Sequence, residues 1–170
     1  MPNNKTWDGL LPLSDLFSSE SLPTEPDTFF DQRYIDYLQR QRHALTKIHW
    51  RQFESLTAEY FKRIGYKVTL GPGRNDGGKD VVAAKACDAV GPELVYIQCK
   101  RLGSKYEVGI DTVKAFWTTV QDDKATRGIV ATTSCLAAGA RTYCDARQYQ
   151  LRAAEGEHVE RWISQMASDG

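Results

Sequence analysis

A chain of 170 residues, 41% hydrophobic and 26% charged, is long enough for one domain with a real core and too short for two full ones. No apolar run approaches the roughly 20 residues of a membrane helix, and the opening MPNNKTWDGL lacks the parts of a secretory signal, so a cytoplasmic protein without membrane contact is expected. The 22 basic and 22 acidic side chains cancel, yet residues 41–130 carry 15 basic against 10 acidic while residues 1–40 carry 3 against 7, a pattern that permits an anionic partner.

Residues 1–26 hold four of the six prolines and no sustained period, which predicts an extended or loosely docked arm. Asp27 then offers a cap for a helix in which Phe30, Tyr34, Tyr37, Leu38, Leu45 and Ile48 form one apolar stripe, to be buried in the core or in a homodimer seam. A second helix is predicted from Trp50 to Ile64, with Phe53, Leu56, Tyr60, Phe61 and Ile64 on one face and Gly65 as its stop. The period next turns strand-like in YKVTL, passes through the glycine-rich GPGRNDGGKD, and returns in DVVAA and LVYIQCK. A helix over GIDTVKAFWTTVQD, a buried strand GIVATT, a short helix through AAGARTYCDA, a strand near YQLRA and a terminal helix EHVERWISQM follow. The order α, β, β, β, α, β, α, β, α describes an α/β domain, a mixed central sheet with helices on both faces.

Several chemistries fail on spacing. Gly73, Gly78 and Lys79 fit the glycines and lysine of a phosphate-binding loop, but Asp80 stands where that loop needs Ser or Thr, and a strand follows where a helix should open. Cys87, Cys99, Cys135 and Cys144 form no CxxC pair, and His43, His49 and His158 share no ligand spacing, so reduced thiols and structural histidines are expected. No GxSxG or HExxH is present.

The informative stretch is YIQCKR. Side chains alternate along a strand, so Gln98 and Lys100 share a face. If the strand begun by Asp80 is its neighbour, Asp80 comes beside them, and Glu54 reaches in from the helix over Trp50 to Ile64. Two carboxylates and an amide oxygen form a hard donor set suited to Mg2+, with Mn2+ as a substitute, and phosphodiester hydrolysis is the chemistry such a set serves. Lys100 would position the attacking water or offset developing negative charge. Each residue has a plainer reading: an exposed helix acid, a turn aspartate, a lysine guarding a sheet edge. Held together they are harder to explain that way, because an inward lysine needs an acid near it. DNA contacts are expected from Lys62, Arg63, Lys67, Arg74, Lys79, Arg101 and Lys105, on double-stranded rather than single-stranded DNA, since no aromatic platform is evident.

FESLTAEYFKRIGYKV followed by DGGKDVV, YIQCKR and GIVATTS resembles the catalytic domain of Mrr-type restriction endonucleases, within the PD-(D/E)XK nuclease superfamily, over roughly residues 50–165. The resemblance implies an αβββαβ core, Mg2+-dependent cleavage of DNA, and functional residues at Glu54, Asp80, Gln98 and Lys100. Gln98 stands where the superfamily's general pattern has an acid, a replacement for which the Mrr branch is known. Residues 1–49 are then an N-terminal arm and helix and residues 50–170 the nuclease domain. With only about 49 residues before the core, site recognition is expected to be modest, absent or supplied by a recognition or activator subunit, and cutting both strands calls for a homodimer. The leading expectation is a restriction or phage-defence endonuclease; the alternative is a catalytically weak DNA-binding subunit of a larger defence or repair complex.

Overall fold

The computed structural model describes residues 13–73 and 76–170. A short helix α1 (Leu13–Leu16), α2 (Gln32–Arg40), a 3-10 turn (Arg42–Lys47) and α3 (Trp50–Arg63) precede the first strand. Then come β1 (Lys67–Leu70), β2 (Val81–Lys85), β3 (Glu93–Lys100), β4 (Glu107–Val108), α4 (Ile110–Asp122) and β5 (Arg127–Thr132). β6 (Cys135–Leu136), α5 (Ala138–Asp145), β7 (Leu151–Ala154) and α6 (Gly156–Ser168) close the chain. Five strands form one sheet in the order β1-β2-β3-β5-β7, antiparallel on the β1 side and parallel from β3 to β7. The expected mixed α/β sheet is therefore present, with α3-β1-β2-β3-α4-β5 running in the expected order.

Alternation along β3 assigns the two faces. Val95 and Ile97 join Val81 and Ala83 in the core beneath α2, α3 and α6, where Phe53, Leu56, Val159 and Ile163 are buried. Tyr96 faces the other way and packs with Val113, Phe116, Trp117 and Val120 of α4 and with Val130 and Leu151. Each face thus buries its own apolar cluster, as a sheet covered on both sides must.

The N-terminal segment differs from expectation in two ways. The helix is capped by Asp31, whose carboxylate accepts from the Arg33 N–H at 2.9 Å, and not by Asp27, which takes a positive φ of 62° before the helix begins. The helix also ends at Arg40 and continues only as the 3-10 turn, so the predicted stripe is broken up: Tyr34, Tyr37 and Leu38 lie in α2, Leu45 in the turn, Phe30 before and Ile48 after them, all packed in or against the core. The described part of the proline-rich arm is docked: Phe17 is buried against Phe30 and Tyr34, the His49 N–H donates to the Phe17 carbonyl at 2.8 Å, and Gln52 Nε2 donates to the carbonyls of Leu16 and Ser19. Two structural roles fall to histidines: His49 caps α3 by accepting from the Arg51 N–H, and His158 completes a capping box with Glu155 at the start of α6. Cys87, Cys99, Cys135 and Cys144 are all free thiols. A small parallel pair, β4 with β6, ties together the segments that leave β3 and β5; at two residues each, these strands had no period to reveal them.

Candidate active site

The site is made where β2 parts from β3. Their ladder runs from Lys85 opposite Glu93 to Val81 opposite Ile97, and the last bond along it is from the Asp80 N–H to the Ile97 carbonyl at 3.0 Å. β3 continues for three more residues, paired on its other side with β5, Gln98 opposite Val130 and Lys100 opposite Thr132. The side of β3 that β2 has left is where Asp80 turns in, and its Oδ2 accepts from the Cys99 N–H at 2.7 Å. One peptide group thus holds the carboxylate between the Gln98 and Lys100 positions.

Glu54 arrives by another route. It sits on the first turns of α3, on the face opposite Gln98, and is buried to 3% exposure. Its Oε2 accepts a short hydrogen bond from Nη1 of Arg51, one turn back. Burial pushes the Glu54 carboxyl above its ordinary range, while Arg51 pulls the other way. Asp80 is pushed up to about 7, chiefly by desolvation; the Cys99 N–H opposes the rise, the charges of Glu54 and Asp76 add to it, and Lys100 opposes it. These mutual effects place Glu54, Asp76, Asp80 and Lys100 in one electrostatic neighbourhood.

Gln98 is nine-tenths buried on the α4 side, with Phe116 nearby. A Cβ at Gly78 would lie 2.8 Å from its Nε2, and Gly78 has a φ of 82°, so the glycine is required both by its backbone and by the amide packed on it. The Oε1 of Gln98 is buried without a hydrogen-bond partner. Lys100 is half-buried and makes none of the ion pairs found among the described residues.

Asp76 and Arg51 belong to the same neighbourhood, and the sequence reading missed both. Asp76 caps the loop, Oδ1 accepting from the Gly78 N–H at 3.0 Å, and leaves its buried Oδ2 without a partner. Its signal lay in NDGGKD, an acid just before the glycines; Arg51 had no signal beyond its one-turn spacing from Glu54.

The predicted basic residues do not gather as expected. Arg101 follows Lys100 and donates from Nη1 to the Thr46 carbonyl at 3.1 Å, and Lys105 is exposed in the loop beyond it. Lys79 is drawn to the α4 side, donating to Asp123 at 2.9 Å over the Tyr96 ring. Lys62 and Arg63 lie at the far end of α3, about 12 Å along the axis from Glu54. There Lys62 donates to the Asp27 carbonyl and Arg63 binds Glu59 and Gln32. Lys67 pairs with Ala84 at the opposite end of β2 from Asp80. Helix length and strand length separate these three from the site, a distance that neighbourhood in sequence conceals. Arg74 lies outside the described residues.

The oxygens of Glu54, Asp80 and Gln98 fit a hard divalent ion by donor type, and two orphaned buried oxygens, Gln98 Oε1 and Asp76 Oδ2, are what a bound cation or its waters would satisfy. No group of three or more His, Cys, Asp or Glu among the described residues is arranged to hold a metal without such an amide.

Residues 45–163 match the Mrr catalytic-domain model, described as a restriction endonuclease. The chain belongs to this restriction endonuclease family. The Mrr-type fold is also met in two solved structures: the MspJI restriction endonuclease in complex with a 27-mer oligonucleotide and the DNA modification-dependent restriction endonuclease AspBHI. MspJI superposes with a TM-score of 0.53 at 19% identity, over 79% of this chain and 30% of that one. AspBHI gives 0.53 at 15% identity, over 90% and 43%. An uncharacterized protein, y4cE of Sinorhizobium fredii (strain NBRC 101917 / NGR234), is 34% identical over 91 residues, which are 53% of this chain and 23% of that protein. The Mrr-type chain thus spans less than half the length of each of these three. No helix among its described residues is long and apolar enough to cross a membrane.

Proposed function

We propose that this chain is a cytoplasmic, Mg2+-dependent endonuclease of double-stranded DNA, of the PD-(D/E)XK type, acting in restriction or phage defence. The observation that carries the reading is the departure of β2 from β3 at Asp80, which leaves Asp80, Gln98 and Lys100 at one open strand end with the buried Glu54 beside them.

Glu54, Asp80 and Gln98 would hold the ion, which when bound supplies Lewis acidity toward a phosphoryl oxygen and neutralises charge there. The chain's own groups do the rest. The Cys99 N–H keeps the Asp80 carboxylate turned into the gap, and Arg51 fixes one oxygen of Glu54 and leaves the other available. Lys100, without an ion pair of its own among the described residues, donates to the attacking water or to the phosphate as an oxygen–phosphorus bond forms and the opposite one breaks. Residues 50–170 carry this chemistry, and the described residues of the N-terminal arm and helix, 13–49, complete its core. Arg101 and Lys105 line the approach for the DNA backbone. A second copy would cut the second strand, and a recognition or activator subunit would choose the site.

The test is conversion of supercoiled plasmid to nicked and linear forms with Mg2+, with EDTA, and with Lys100→Ala. Metal-dependent cleavage lost in the variant is expected. Intact plasmid in every lane, with DNA still shifted on a gel, would favour a catalytically weak binding subunit.

A further inference from the structure

Arg51 has donors that the metal-site reading leaves unused. It is the second residue of α3, beside the exposed Trp50, and its side chain is 24% exposed although it bonds a glutamate that is almost wholly buried. A guanidinium carries five donors in a rigid plane. Nη1 serves Glu54; among the described residues no acceptor serves Nε or Nη2, and neither is a buried orphan. The glycine loop passes close on this side: a Cβ at Gly73 would lie 3.3 Å from Nη1 and 3.5 Å from the Trp50 ring, so a side chain there would crowd the guanidinium. An ion pair kept only to stabilise a helix would not need two further donors without an acceptor among the described residues beside Glu54.

The other cations at this end are placed differently. Lys79 is engaged by Asp123, Lys100 faces the reacting phosphate in the nuclease reading, and Arg101 spends Nη1 on a backbone carbonyl while its Nε is buried. With Glu54, Asp76 and Asp80 close by, a DNA backbone entering the gap meets repulsion unless a fixed cation receives it.

We infer that Arg51 receives a backbone phosphate of the DNA next to the one that is cut, using the two donors that Glu54 leaves free. The inference rests on the nuclease reading and assigns a substrate contact at that same site. Held by Glu54, the guanidinium is oriented before DNA arrives, so the contact couples substrate position to the carboxylate that would bind the metal.

The experiment measures binding of the full chain to a labelled duplex in EDTA across a salt series, for wild type, Arg51→Ala, Arg51→Gln and the control Arg152→Ala, a charge removed from the exposed surface of β7. Arg51→Gln keeps an amide that can donate to Glu54, so the fold is served while the charge is lost, and thermal melting of each variant checks this. One lost phosphate contact should lower the slope of log K against log salt by about 0.9 in both Arg51 variants. Affinity at low salt should fall about tenfold, with Arg152→Ala unchanged. Under Mg2+, Arg51→Gln should raise KM more than it lowers kcat. Wild-type slopes in both Arg51 variants, with wild-type binding and cleavage intact, would overturn this inference and leave the nuclease reading standing. A wild-type protein that binds no DNA and cuts none would overturn both.

Discussion

The Cys99 backbone N–H donates to Oδ2 of Asp80 at 2.7 Å, across strands that have just ceased to pair. A carboxylate that would otherwise be a turn residue is thereby held inside the end of a sheet. It is deprived of water, beside Glu54 and Asp76, and this is why its carboxyl is pushed up to about 7.

That shift has a sign. Between the ordinary aspartate value of 3.8 and about 7 the folded protein binds the Asp80 proton more tightly than the unfolded chain does, so this residue's contribution to stability falls as pH rises through that window. Asp80→Asn should therefore stabilise the metal-free protein at pH 8, by about 1–2 kcal/mol once solvent at the cleft mouth is allowed for. Melting in EDTA at pH 8 and pH 5 checks it: the variant's advantage should shrink at the lower pH. An Asp80→Asn protein that melts below wild type at pH 8 would contradict the account.

Lys100→Ala should lower Mg2+-dependent cleavage by about 10² to 10³-fold, while lowering the melting temperature only slightly, because the ammonium has no ion pair among the described residues and loses only its longer-range attraction to Asp80 and Glu54. Single-turnover rates on plasmid, alongside melting curves, separate the two effects.

Gly78→Ala should impair catalysis more than stability. The new methyl would meet Gln98 Nε2 at 2.8 Å, and the φ of 82° adds strain of about 1 kcal/mol. A displaced Gln98 amide should cost up to about 10²-fold in rate. The check is cleavage rate set against Mn2+ binding by calorimetry, both of which should weaken.

Arg63→Ala should be a stability variant. Its guanidinium satisfies the buried Glu59 at 3.0 Å and also bonds Gln32 and the Met166 carbonyl, joining α3 to α2 and α6. Leaving Glu59 unpaired should cost about 2–3 kcal/mol. The salt dependence of DNA binding should stay as in wild type; a slope lowered by about 0.9 would instead return Arg63 to the DNA surface.

Much of this molecule was written in local pattern. Helix-period apolar residues after Trp50 and after Gly109, and alternation in YKVTL and LVYIQCK, determine their elements because each element must bury one face or stripe. The parity of Gln98 and Lys100 is equally local, as is the acid that starts β2 after two glycines. Three things were decided only by tertiary structure. Asp31 rather than Asp27 caps α2, because docking of Phe30 and the Glu59 bond to the Phe29 N–H determine where the chain can turn. Lys62, Arg63 and Lys67 fall away from the site, because helix and strand carry them to the far end of the sheet, a length that composition cannot express. Asp76 and Arg51 enter the site because a glycine loop folds back over the start of α3, and no periodicity records which residues a loop will touch.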